Sequence, residues 1–69
     1  MPDPVYKIVE LVGTSERGVD AAIEAAVARA AKTIRNVGWF EVLSVRGHVA
    51  DGKVQHYQVT LKAGFTLEE

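Results

Sequence analysis

The sequence predicts an α+β fold of order β-α-β-β, a three-stranded antiparallel sheet of strand order 1-3-2 wrapped on one helix, and three observations carry the prediction. Residues 5–13 are rich in β-branched side chains, residues 17–37 repeat apolar positions at helical spacing, and two apolar runs, 39–49 and 54–67, flank Asp51-Gly52. These segments fill nearly all of the 69 residues, which leaves room for a single domain over 1–69.

The first strand is apolar on both sides, with Val5, Val9 and Leu11 alongside Tyr6, Ile8 and Val12. Such a strand needs two covers: the domain's own helix, and on the other side a neighbouring subunit. In the second segment Val19, Ala22, Ile23, Ala26, Val27, Ala30, Ile34 and Val37 form one helical stripe. Thr14 or Ser15 is placed to cap it, Glu16, Asp20 and Glu24 lie near its positive end, and Arg29, Lys32 and Arg35 near its negative end. Gly38 supplies a left-handed stop. A helix of that span is roughly 30 Å long and is expected to cover most of the sheet.

Asp51-Gly52 suits a type I′ hairpin turn, whose two central residues need positive φ. Along the second arm Tyr57, Val59, Leu61, Ala63 and Phe65 alternate with His56, Gln58, Thr60 and Lys62, and the apolar set faces the helix. The helix returns the chain so that the first two strands run the same way, and an all-antiparallel sheet then needs the third strand in the middle.

Lys plus Arg total 8 and Asp plus Glu total 9, so bulk charge offers no pull toward nucleic acid or an anionic membrane. There is no Cys, which removes disulfides, thiolate metal sites and cysteine nucleophiles and leaves self-association as the staple for so small a fold. No apolar stretch approaches the ~20 residues of a membrane span. Met1-Pro2-Asp3-Pro4 lacks the basic and apolar regions of a signal peptide, so a cytoplasmic protein is expected.

A regular hairpin register pairs Glu41 with Lys62, Leu43 with Thr60 and Val45 with Gln58, and puts Trp39 and Gln58 together on the face away from the helix. An indole plane with an amide donor and acceptor suits a planar ligand. The alternative is a Trp39 packed into a subunit interface with a solvated Gln58. Along the strands the two residues stand roughly 20 Å apart, so one ligand touching both would take them from different subunits.

Other constellations are weak. Gly13 and Gly18 have the spacing of a phosphate loop, but Val19-Asp20 stands where Lys and a hydroxyl residue are needed. By parity His48 and His56 fall on opposite faces, so no metal is expected. Ser15 and Ser44 have no evident triad partners and no carboxylate pair is poised for acid-base work, so no catalytic residue is assigned and the chain is not read as an enzyme. Arg29, Lys32 and Arg35 read as a solvated face.

Across nearly its whole length the chain resembles the dodecin family of small flavin-binding proteins. The resemblance rests on residues 6–15 (YKIVELVGTS), the Ala-rich helix, 39–42 (WFEV), Arg46-Gly47, Tyr57-Gln58-Val59 and Gly64-Phe65. It implies a homododecameric hollow shell of cubic symmetry with flavins bound as stacked pairs at two-fold axes. It further implies that Trp39 sandwiches the flavin pair, that Gln58 bonds the isoalloxazine edge, and that Arg46 meets the phosphate of flavin mononucleotide (FMN) or lies along the ring. Thr66 stands where bacterial members often carry Arg, and Gly38 where Asp is common. The expected function is flavin storage and sequestration with quenched photochemistry, FMN being favoured over riboflavin. Some members also bind coenzyme A on the shell, and the alternative is an oligomeric structural or coenzyme A-binding module in which Trp39 is only interface packing.

Overall fold

The computed structural model describes residues 3–67; Met1 and Pro2 of the Pro-punctuated start lie outside them. The chain runs β1 (Tyr6–Ser15), α1 (Val19–Thr33), β2 (Val37–Ala50) and β3 (Lys53–Thr66). β3 lies between β1 and β2 and pairs antiparallel with both, as the connection argument requires. Asp51 (φ 53°) and Gly52 (φ 74°) both take the positive φ of the expected turn.

The core lies between α1 and β3. Ala22 and Ala26 cluster with Val59 and Leu61, with Leu11, Val19, Ile23 and Val27 packed around them, and Ala30 and Ala63 are buried as well. Small helix side chains let the helix settle close to the sheet. Gly13 completes that approach, since a Cβ there would land on the Ala22 carbonyl and against the Ala26 methyl.

The helix is shorter than its apolar stripe predicts, covering Val19–Thr33 rather than 17–37. Neither Thr14 nor Ser15 caps it: both belong to β1, and Gly18 is the N-cap, its carbonyl accepting the Ala22 N–H at 3.1 Å. The Ser15 hydroxyl instead accepts the Arg17 N–H at 3.0 Å and shapes the bend before the helix. At the other end Thr33 and Ile34 are β-branched and weak helix formers. Ile34 turns extended while its N–H still reaches Ala30, and Asn36 (φ 66°), not Gly38, takes the left-handed conformation. Gly38 lies in β2 at a shift of register.

The hairpin register also departs from the regular ladder. Glu41 pairs with Lys62 as expected, and their side chains approach to 3.9 Å. A bulge between Val42 and Ser44 then moves every later partner by one: Ser44, not Leu43, opposes Thr60, and Arg46, not Val45, opposes Gln58. A further irregularity between His48 and Val49 restores the count before the turn.

At 15 residues the helix is about 22 Å long, whereas the 14-residue hairpin strands reach about 47 Å. It therefore covers only part of the sheet, contrary to the expectation from the longer stripe. Phe40, Val42 and Val45 on the helix side of β2 remain exposed, as do Tyr6, Ile8 and Val12 on the outer side of β1. Among the described residues no helix is long and apolar enough to cross a membrane.

Candidate functional site

Pairing on the outer face sets Trp39 against Gly64, Glu41 against Lys62, Ser44 against Thr60, Arg46 against Gln58 and His48 against His56. The middle strand explains the bed of the tryptophan. A Cβ on the buried Gly64 would overlap the indole carbons Cδ2, Cε2 and Cζ2, so the absence of a side chain is what lets the ring lie down on the strand. Tyr6 of β1 lines the same end, its ring 6.0 Å from the indole and tilted by 49°, within the range of a favourable aromatic pair. Trp39 keeps 37% of its surface open, so the side facing away from Gly64 is available to a flat partner.

Arg46 reaches this face only through the bulge. Were Leu43 paired with Thr60 in a regular ladder, alternation would turn Arg46 toward the helix side and Val45 outward. With Leu43 unpaired, the guanidinium lies outward, Nη2 donating to the Ser44 hydroxyl at 3.4 Å, directly across from half-buried Gln58. No carboxylate of the described residues pairs with the Arg46 guanidinium.

The two groups of residues do not meet within one chain. Gly64 and Gln58, the β3 partners of Trp39 and Arg46, are six residues apart, about 20 Å along an extended strand. A recess of about 610 Å³ contains none of Trp39, Arg46 and Gln58. It lies on the helix side, lined by Asp20, Ile23, Glu24, Val27, Ala28 and Phe40. A recess of about 130 Å³ touches Trp39 through Val27, Val37, Gly38 and Phe40, well short of the ~300 Å³ of a small ligand pocket. Trp39, Arg46 and Gln58 thus form an open surface on the uncovered sheet face.

His48 and His56 do not lie on opposite faces, because the bulge inverts the parity on which that expectation rested. They are direct partners with rings stacked 4.4 Å apart at 26°. Among the described residues no group of three or more His, Cys, Asp or Glu is arranged to hold a metal ion.

The family model for Dodecin matches residues 5–68. The chain belongs to the dodecin family. It is 60% identical over 65 residues to the dodecin of Thermus thermophilus, with 94% of each chain covered. The dodecin structure from Streptomyces coelicolor superposes with a TM-score of 0.93 at 54% identity, over 100% of this chain and 99% of that one. A more distant relative, the calcium dodecin of Mycobacterium tuberculosis, described as a calcium-chelating immunodominant antigen, gives 0.80 at 28% identity over 93% and 91%. The β-α-β-β subunit with its 1-3-2 sheet is thus a dodecin fold in sequence and in shape. Trp39 and Gln58 were legible as a same-face pair, and the ladder bears this out. Gly64 was missed, although a glycine inside an otherwise regular strand is itself a sign of close approach.

Proposed function

We propose that this protein stores and sequesters flavin, holding stacked flavin pairs between subunits, and that it is not an enzyme. The observation that carries the reading is the shared outward face: an indole bedded on Gly64 with its other side open, and Arg46 directly opposite Gln58. The residues present fit the group. An open aromatic plane suits a flat heterocycle, an amide suits a ring edge with both donors and acceptors, and a guanidinium with no carboxylate partner among the described residues suits a phosphate. When bound, flavin supplies a light-absorbing, redox-active ring system. Trp39 covers that ring and shields it from water and reactants, and its electron-rich indole is the group that quenches photochemistry. Gln58 sets the orientation of the ring edge, and Arg46 favours FMN over riboflavin.

The separation of about 20 Å between the Trp39 and Arg46–Gln58 ends supports a site completed by a second subunit. The exposed apolar residues on both sides of the sheet support extensive self-association, and the dodecamer of the family is the assembly we assign. The cytoplasm is the compartment proposed, and coenzyme A on the shell is the competing ligand.

Native mass spectrometry of the assembly reads subunit number, ligand mass and stoichiometry together. Twelve subunits with an even number of FMN per two-fold pair is the expected result. Titration of Trp39→Ala with FMN tests the site itself: loss of fluorescence quenching and weaker binding are expected, by more than the ~1 kcal/mol of one aromatic pair because ring burial is lost as well. An unchanged titration, or a colourless assembly that binds only coenzyme A, rejects the reading and leaves Trp39 as interface packing.

A further inference from the structure

We propose that His48 and His56 form a two-histidine site for a divalent transition-metal cation of the imidazole-preferring class, with Cu²⁺ held most tightly. The two residues are direct cross-strand partners with ring centroids 4.4 Å apart and planes inclined by 26°. Side chains of directly opposed residues leave the backbone about 4.5–5.5 Å apart at Cβ. That spacing lets one cation sit about 2.0–2.1 Å from a nitrogen of each ring. Closing on the cation requires the stacked rings to splay until their in-plane lone pairs converge. His48 is exposed and His56 half-buried, so this is a rotation of side chains on a backbone held by the Gly47–Tyr57 pair on one side and, past the irregularity before Val49, by the Val49–Val54 pair on the other. The ordering that a flexible chelate would lose on binding is therefore mostly complete once the hairpin has folded.

Ligand chemistry selects the cation. The adjoining pair on the same face, Arg46 and Gln58, adds no carboxylate, so the site lacks the oxygen-rich shell that Ca²⁺ and Mg²⁺ require. Two imidazoles suit copper, nickel and zinc, and the Irving–Williams order puts Cu²⁺ first. The remaining coordination positions fall to water. The Arg46 guanidinium, two residues away on the same strand, opposes the cation through space and keeps the affinity modest.

The site does not depend on flavin binding and is tested on the full-length protein freed of ligand. CuCl₂ is titrated in a non-coordinating buffer, followed by calorimetry and by electron paramagnetic resonance. Expected are one Cu²⁺ per chain, a spectrum with two nitrogen ligands, competition by Ni²⁺ and Zn²⁺, and none by Ca²⁺. His48→Thr and His56→Thr keep a strand-forming residue at each position, which circular dichroism verifies. Each should weaken Cu²⁺ binding at least as much as the ~100-fold reached when a supporting group around a metal is removed. Unchanged Cu²⁺ affinity in both variants, no binding by the unaltered protein, or displacement by Ca²⁺ would each overturn the site without bearing on flavin.

Discussion

At the scale of the residue, the tryptophan depends on what its neighbour lacks. Gly64 makes the bed on which the indole lies, so Gly64→Ala should lift the ring and cost stability in the range of about 1–3 kcal/mol typical of overpacking. Tryptophan emission reads the displacement, and FMN titration should fall toward the level of Trp39→Ala. An unaltered emission spectrum would mean that the ring does not rest there. Arg46 tests which part of the ligand the cation reads. Arg46→Gln should weaken FMN by about tenfold or more, the scale of one hydrogen bond to a charged group, while leaving riboflavin nearly unaffected. Equal losses for both flavins would place the guanidinium along the ring instead of at the phosphate.

At the scale of the element, the decisive feature is the extra residue between Val42 and Ser44. Strand alternation is a strict two-residue period, so one unpaired residue exchanges the faces of everything after it until a second irregularity reverses the change. Deleting Leu43 should remove the unpaired residue and leave a regular ladder in which Ser44 still opposes Thr60 and Arg46 still opposes Gln58 on the outer face. FMN preference should then persist in a titration against riboflavin; its loss would show that the local twist of the bulge, and not the pairing with Gln58 alone, aims Arg46. The same shift explains which pairings were legible beforehand. Glu41 opposite Lys62 precedes the bulge and came out correctly, whereas the partners of Thr60 and Gln58 and the relative faces of His48 and His56 follow it and did not. Nothing in Leu43 or its neighbours marks a bulge: no glycine or proline interrupts 39–46. The helix stripe misled for a related reason, since Ile34 and Val37 keep the right spacing by number after Thr33 has ended the helix.

At the scale of the molecule, the chain is too extended to be a finished globule. Its Cα radius of gyration is 14.4 Å and its extents are 56 × 20 × 13 Å, against about 11 Å expected for a compact chain of this length. Among the described residues four of the six buried apolar ones are alanines, while Phe40, Val42, Val45, Tyr6 and Ile8 remain exposed. Larger apolar side chains thus lie outside the core than within it, and the proposed association is the term that would bury them. Val45→Glu, at a position 53% exposed in the single chain, should be nearly neutral for a monomer but should disrupt an assembly that covers it. Light scattering should show smaller particles and a melting temperature that rises with protein concentration. Particles of unchanged size would remove that side of β2 from the interface.

Composition and periodicity by themselves determined the number and order of elements, the middle position of β3 and the helix-facing set from Val59 to Ala63. These follow from patterns local in the chain and from the few ways that such elements can connect. They also placed Trp39 and Gln58 on one open face, because Trp39 lies before the bulge and β3 alternates regularly from Gln58 to Gly64. Tertiary structure alone decided where the ladder slips, and with it the outward aim of Arg46 and the meeting of His48 with His56. Those depend on how the long hairpin packs and pairs beyond the reach of a helix about 22 Å long, an interaction between distant segments for which no short stretch of sequence carries a signal.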